Sequence, residues 1–322
     1  MKAVVLHEYG NADVLKYEDA PTPKPKEDEA RVRLEAIGVN FIDVYHRKGL
    51  YPNKLPFISG MEGAGIVDKV GKNSFGIKEG DRVAYAMNTG SYAEYATVPA
   101  WKLAKVPDEI DMKTAASLML QGMTAHYLTH STFPLKKNNI ILLHAAAGGV
   151  GLLLTQMAKM IGAKVIGTVG DEEKAKLAKE NGVDEVIIYT KEDFEEKTKK
   201  ITEGNGVDVV YDSVGNATFE KSLNCLKSRG MLVSFGQSSG AIENFNPAIL
   251  SQKGSLYLTR PTLSNYCANR EELLLRANDV FNLVKNKELE IRIHKIFRLS
   301  EAGKAHEELE GRKSAGKVLI AP

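Results

Sequence analysis

Cysteine is scarce: Cys225 and Cys267 are the only two in 322 residues. Two thiols cannot build a four-cysteine structural zinc site or a disulfide framework. No apolar run approaches the ~18 residues that cross a bilayer. Neither charge sign dominates, since 43 Lys and Arg face 41 Asp and Glu for a net +2. That balance carries no electrostatic footprint for nucleic acid. The segment Met1-Lys2-Ala3-Val4-Val5-Leu6-His7-Glu8 turns polar too early for a signal peptide. A cytoplasmic setting with both thiols reduced is expected.

What is present is chain enough for two domains and a core that needs no staples. Residues 31–36 alternate polar and apolar like a half-buried strand. Segments 63–71, 81–85 and 92–98 read as short strands punctuated by Gly and Asp. Pro21, Pro23 and Pro25 mark an extended link. A small barrel or sandwich is expected here.

The pattern changes near residue 111. Residues 115–132 read as one helix, and strands then alternate with helices. The strands are expected at 140–144, 164–169, 185–189, 207–212, 231–236 and 256–258, with helices near 150–161, 172–181, 192–202 and 216–226. Ile140-Ile141-Leu142-Leu143 is apolar throughout, as in a strand covered on both faces. The alternation calls for a parallel, doubly wound sheet. After residue 265 come a helix over 270–287, a strand over 291–297, a short helix over 300–309 and a strand over 317–320. This tail resembles the opening, so the nucleotide-binding unit reads as an insertion.

The sharpest motif is His144-Ala145-Ala146-Ala147-Gly148-Gly149-Val150-Gly151, between an apolar strand and an apolar helix. That is the setting of a dinucleotide fingerprint, with Ala145 in place of the first Gly. Gly148 would let backbone approach a pyrophosphate, and Gly151 would let helix pack on strand. An NAD site wants a carboxylate at the end of the second strand. That strand ends Thr168-Val169-Gly170, and Asp171 beyond it also suits a helix N-cap. Lys174, one turn in, could reach a 2′-phosphate, which favours NADPH.

Other motifs lead nowhere. His126 and His130 are four apart but enclose no acidic base, and Ser238-Ser239-Gly240 lacks a nucleophile-elbow context. Lys197, Lys199 and Lys200 lie among Glu195 and Glu196 like a solvated helix face.

Matches along the whole chain identify a family resemblance. They are Gly38-Val39-Asn40-Phe41-Ile42-Asp43-Val44-Tyr45, Arg47-Lys48-Gly49-Leu50-Tyr51-Pro52, Gly60-Met61-Glu62-Gly63-Ala64-Gly65, Gly80-Asp81-Arg82-Val83, Gln121-Gly122-Met123-Thr124-Ala125, the glycine-rich turn, Tyr211-Asp212-Ser213-Val214-Gly215 and Gly254-Ser255-Leu256. The chain resembles the zinc-independent medium-chain dehydrogenase/reductases, in the quinone oxidoreductase (zeta-crystallin-like) branch. The resemblance implies an α/β fold: a GroES-like β-barrel catalytic domain over 1–122 and 266–322, and a Rossmann NADPH-binding domain over 123–265. It implies an active-site cleft between them and a homodimer through the Rossmann domain.

By the same resemblance, Asn40 and Thr124 lie near the nicotinamide. Gly148, Gly149 and Val150 form the pyrophosphate loop. Gly170, Lys174 and Tyr189 form the 2′-phosphate pocket, and Phe235, Gly236 and Arg312 make further cofactor contacts. Zinc branches place a Cys within the segment occupied here by Asn40 to Asp43, a His where Met61 stands, and a four-Cys lobe before the Rossmann domain. This chain has none of them, so no metal is expected, and Glu62 is expected to be a satisfied wall carboxylate.

Hydride delivery without a metal suits a quinone, or a conjugated enal or enone. Asn40, Tyr45 and Tyr51 are the candidates to line the reacting centre and to donate a hydrogen bond or proton. The expected activity is NADPH:quinone oxidoreduction. The alternatives are an alkenal or enone reductase and, from another class, an RNA-binding or structural zeta-crystallin-like protein, which the near-neutral charge disfavours. No membrane partner is expected.

Overall fold

The computed structural model describes residues 1–322. It divides into two compact units, Met1–Met123 with Tyr266–Pro322, and Thr124–Asn265. The second unit is therefore inserted between the two halves of the first.

In chain order the first unit holds β1 (Lys2–Leu6), β2 (Leu15–Asp19), β3 (Glu29–Val39), α1 (Phe41–Arg47), β4 (Phe57–Ile58), β5 (Glu62–Val70), β6 (Arg82–Ala86), β7 (Tyr95–Pro99), β8 (Ala104–Lys105) and α2 (Met112–Leu118). Helix α3 (Gln121–Tyr127) crosses the unit boundary. The second unit continues with β9 (Ile140–Leu143), α4 (Gly149–Ile161), β10 (Lys164–Val169), α5 (Glu172–Glu180), β11 (Glu185–Ile188), α6 (Phe194–Ile201), β12 (Val207–Asp212), α7 (Phe219–Asn224), β13 (Leu226–Ser234), α8 (Ala248–Gln252), β14 (Tyr257–Thr259) and most of α9 (Leu263–Tyr266). The chain returns to the first unit with α10 (Arg270–Lys285), β15 (Ile293–Arg298), α11 (Ala302–Glu310) and β16 (Lys317–Ala321).

The first unit is built on a seven-stranded sheet in the order β15-β16-β3-β5-β6-β8, with β7 paired to β3. Strand β16 runs antiparallel to β3, with Val318 opposite Val39. The last strand thus lies beside the residues that lead into α1. Alternating apolar residues of β3, β5, β6 and β7 meet Phe297, Leu299, Leu309 and Ile320 in one core.

The second unit is a six-stranded parallel sheet in the order β11-β10-β9-β12-β13-β14. This is the doubly wound arrangement that the alternating pattern called for. Ligands of such sheets bind outside the carboxyl ends of the strands where the winding reverses. That point is the end of β9, from which the chain turns into α4.

Two sequence readings change. Residues 115–132 are not one helix: α2 stops at Leu118, α3 begins at Gln121, and a π-helical turn covers Leu128–Thr132. The break frees the Leu120 N–H, which donates to Glu62 Oε1 at 2.5 Å. The strand expected to begin at residue 231 begins at Leu226.

Candidate functional site

The glycine-rich turn sits where the sheet predicts a ligand. Gly148 is the N-cap of the 13-residue α4, and no side chain caps it. The first-turn N–H groups of a helix have no partner within the helix and carry its positive dipole end. Gly148, Gly149 and Val150 are half-buried. A Cβ on Gly151 would lie 2.3 Å from Ala145 O and 2.8 Å from Ala146 O, so this glycine permits helix-on-strand packing. A Cβ on Gly148 would meet only Ala145, at 3.1 Å and beyond. Ala145 takes the left-handed backbone (φ 54) that a glycine would adopt more readily. The Gly148 N–H donates to Ala145 O at 2.8 Å, which leaves the N–H groups of the first turn of α4 as the ones with no partner in the helix, a setting that suits an anion.

The strand ends beneath it are braced by a buried polar network. His144 bonds Thr168 Oγ1 at 3.0 Å and Ser222 Oγ at 2.9 Å. Burial pushes the His144 imidazole pKa down, which favours the neutral ring. Asp212 accepts from the N–H groups of Val214 and Gly215 and from Thr218 Oγ1, fixing the turn after β12.

At the next strand ends, Gly170 follows β10 and Tyr189 follows β11. A Cβ on Gly170 would come 3.0 Å from the Tyr189 hydroxyl, so the ring packs against bare backbone. Tyr189 remains 42% exposed, its face available for contact. Asp171 acts as the N-cap of α5, accepting from Lys174 N at 2.8 Å. The carboxylate nearest the end of β10 is therefore committed to the helix. Lys174 Nζ lies 3.7 Å from Asp171 Oδ2, in the first turn of α5.

Phe235 and Gly236 follow β13. Phe235 N donates to Asp212 O at 2.8 Å, and a Cβ on Gly236 would strike Ser213 O at 2.5 Å. Arg260, which nothing in the sequence singled out, donates to Ser234 O and Gly236 O and holds this turn. Thr124 is buried in α3. Arg312 lies in the first unit, exposed, in the turn after α11 and with positive φ.

In the first unit Asn40 caps α1 and is 3% exposed. Its Nδ2 donates to Glu62 Oε2 at 2.8 Å, and its Oδ1 accepts from Lys317 Nζ at 2.8 Å. Gln121 Nε2 approaches the same Oδ1 at 3.4 Å. Lys317 and Glu62 are themselves paired at 2.5 Å, with side chains 1% and 0% exposed. Glu62 is thus the satisfied carboxylate that the sequence suggested. Its partner Lys317, 255 residues away, carries no local signal. Nowhere do three or more His, Cys, Asp or Glu gather as a group that could hold a metal. Both cysteines are buried thiols, pushed up by burial to about 12 at Cys225 and about 11 at Cys267.

A second buried chain runs along the same helix. Asp43 Oδ2 accepts from Asn40 N at 2.8 Å and from the Tyr92 hydroxyl at 3.2 Å. The Tyr92 oxygen meets His306 Nε2 at 2.9 Å, and Arg47 Nη1 reaches His306 Nδ1 at 3.2 Å and Glu310 at 2.8 Å. Since arginine only donates, His306 Nδ1 accepts and its Nε2–H points to Tyr92. Tyr45 and Tyr51 pack edge to face with centroids 5.4 Å apart; Tyr45 is buried and Tyr51 is 37% exposed.

Residues 26–108 match the alcohol dehydrogenase GroES-like domain, and residues 149–272 match the zinc-binding dehydrogenase model. A quinone oxidoreductase of Pseudomonas aeruginosa is 46% identical over 100% of this chain and 99% of its own. A 2-haloacrylate reductase of Burkholderia sp. is 40% identical over 99% of this chain and 98% of its own. The crystal structure of Escherichia coli quinone oxidoreductase complexed with NADPH superposes with a TM-score of 0.98 at 45% identity, all of both chains being covered. Full-length likeness at this level, a GroES-like unit and a doubly wound parallel sheet make the chain a member of the quinone oxidoreductase branch of the medium-chain dehydrogenase/reductase superfamily.

Proposed function

We propose that the protein is an NADPH-dependent quinone oxidoreductase of the cytoplasm, with residues 123–265 as the cofactor-binding domain and residues 1–122 and 266–322 as the catalytic one. The observation that carries the cofactor assignment is the end of β10. There Asp171 is spent as a helix cap and lies 3.7 Å from Lys174 Nζ, Glu172 is paired with Lys191, and the Tyr189 ring packs against Gly170. That corner suits a 2′-phosphate better than a bare ribose hydroxyl. Bound there, NADPH supplies a hydride to an electrophilic acceptor.

The residues of the chain supply binding, orientation and charge. The α4 N-terminus and the backbone of Gly148, Gly149 and Val150 hold the diphosphate. Phe235, Gly236 and Thr124 border the cofactor path. Asn40, Tyr45 and Tyr51 line the acceptor site. Asn40 offers an N–H to the acceptor oxygen as it gains charge, and a tyrosine or solvent returns the proton. No metal takes part in this reading. Glu62, the carboxylate bonded to the Asn40 carboxamide, is already held by Lys317, Asn40 and the Leu120 N–H.

The 40% identity to a 2-haloacrylate reductase supports a second reading, reduction of an activated carbon–carbon double bond. Both acceptors are small conjugated molecules. The outer strand β14, with Tyr257 58% exposed, offers an unpaired edge through which the nucleotide-binding unit forms a homodimer. The deciding experiment measures NADPH oxidation against quinones, enones and haloacrylates. Turnover with quinones supports the proposal, and turnover with the alkenes alone replaces it with the second reading.

A further inference from the structure

Asn40 is held in an unusual way. An amide side chain can sit in two orientations that exchange a donor for an acceptor. Here one end faces a group that only donates and the other a group that only accepts. The Lys317 ammonium lies 2.8 Å from Oδ1, and the Glu62 carboxylate lies 2.8 Å from Nδ2. Turning the amide over would set Nδ2 against the ammonium and Oδ1 against the carboxylate, losing both bonds at once. The two clamping groups bond each other at 2.5 Å and are sealed from water, where hydrogen bonds are stronger than in solvent. Glu62 is fixed in turn by the Leu120 N–H at the break between α2 and α3. Lys317 is fixed by its place at the start of β16, two strands from β5 in the same sheet.

One amide hydrogen of Asn40 is consumed by Glu62. The other has only Gly38 O, 3.4 Å away, too far for a strong bond. We infer that Lys317 and Glu62 are positioning residues that lock the Asn40 carboxamide with its second N–H available to the acceptor oxygen. Lys317 also draws electron density toward Oδ1, which makes that N–H a stronger donor as negative charge develops. In the opposite orientation the site would present an acceptor to an oxyanion. The inference rests on the role proposed above for Asn40.

The test is a double-mutant cycle in the full-length protein, with Lys317→Met and Glu62→Gln each made alone and combined with Asn40→Ala. Removing a donor to a developing oxyanion costs about 10²-fold in kcat, and that is the expectation for Asn40→Ala. Lys317→Met should lower kcat about tenfold or more with KM within about twofold, and should change kcat less than about twofold once Asn40 is alanine. Glu62→Gln, of equal size, repeats the comparison if the lysine variant folds poorly. Equal losses in the wild-type and Asn40→Ala backgrounds would overturn the inference and leave the role of Asn40 standing. An Asn40→Ala variant with wild-type kcat would overturn both. A readout free of turnover is the Asn40 side-chain ¹⁵N–¹H₂ signal of the cofactor-free protein. One sharp pair should become two sets or broaden in Lys317→Met, and an unchanged pair would contradict the clamp.

Discussion

Asp43 and His306 meet on the same tyrosine hydroxyl: Tyr92 Oη lies 3.2 Å from Asp43 Oδ2 and 2.9 Å from His306 Nε2. Burial drives both toward their neutral forms. It raises Asp43 from 3.8 to about 7, against the opposing pull of the Asn40 N–H and the Lys317 charge. It lowers His306 from 6.5 to about 3, with the Arg47 charge adding to the effect.

These opposite shifts make a pH prediction with a definite sign. Between pH 3.8 and 6.5 folded Asp43 keeps a proton that the unfolded chain has lost, so its contribution falls as pH rises. Over the same range folded His306 lacks a proton that the unfolded chain holds, so its contribution rises. In the wild type the two slopes cancel. Asp43→Asn should expose the rising slope and His306→Gln the falling one, each up to ~1.4 kcal/mol per pH unit. Denaturant melts between pH 4 and 6.5 check this, and parallel profiles for the three proteins would contradict it.

Lys317 and Glu62 also make a stability prediction. Removing one member of a sealed ion pair leaves an uncompensated charge, at a cost of ~3–5 kcal/mol. Lys317→Met should destabilise by that amount, and adding Glu62→Gln should recover part of it. Chemical denaturation of the two variants tests the coupling, and additive losses would deny it.

The two loop glycines should separate packing from binding. At Gly151 an added methyl meets backbone oxygens at 2.3 and 2.8 Å, whereas at Gly148 it meets Ala145 alone at 3.1 Å or more. Gly151→Ala should therefore lower the melting temperature and the NADPH affinity together. Gly148→Ala should leave the melting temperature of the free protein within a degree or two and weaken NADPH. Thermal melts and cofactor titration by fluorescence distinguish the two.

Cofactor preference should turn on one side chain. A hydrogen bond to a charged group contributes ~1.5–3 kcal/mol, so Lys174→Ala should weaken NADPH about 10- to 100-fold and leave NADH within about twofold. Equal losses for both cofactors would remove Lys174 from the 2′-phosphate corner.

The second unit was the more legible from sequence, for a physical reason. A parallel sheet buried on both faces writes itself as apolar runs, and β9, β10 and β12 lie within a residue of their expected places. The phosphate loop declares itself because glycine is needed where a Cβ would strike backbone. The first unit hid more. Helix α1 is rich in aromatic and branched residues, Phe41, Ile42, Val44 and Tyr45, which do not advertise helix. Lys317 opens an apolar strand and looks like an ordinary strand-end cation. Only the antiparallel pairing of β16 with β3 brings it to Asn40. His306 likewise sits among the charged residues of a surface-type helix, yet it is fully buried. Contacts between groups more than 200 residues apart leave no local trace.

The most direct test of the proposed activity uses NADPH deuterated at the transferable position and protein treated exhaustively with chelator. The expected result is stoichiometric conversion of quinone to hydroquinone, with a rate slowed by a primary isotope effect in single turnover and unchanged by chelation. Loss of turnover on chelation, or no quinone-dependent NADPH oxidation at all, would contradict metal-free hydride transfer to a quinone.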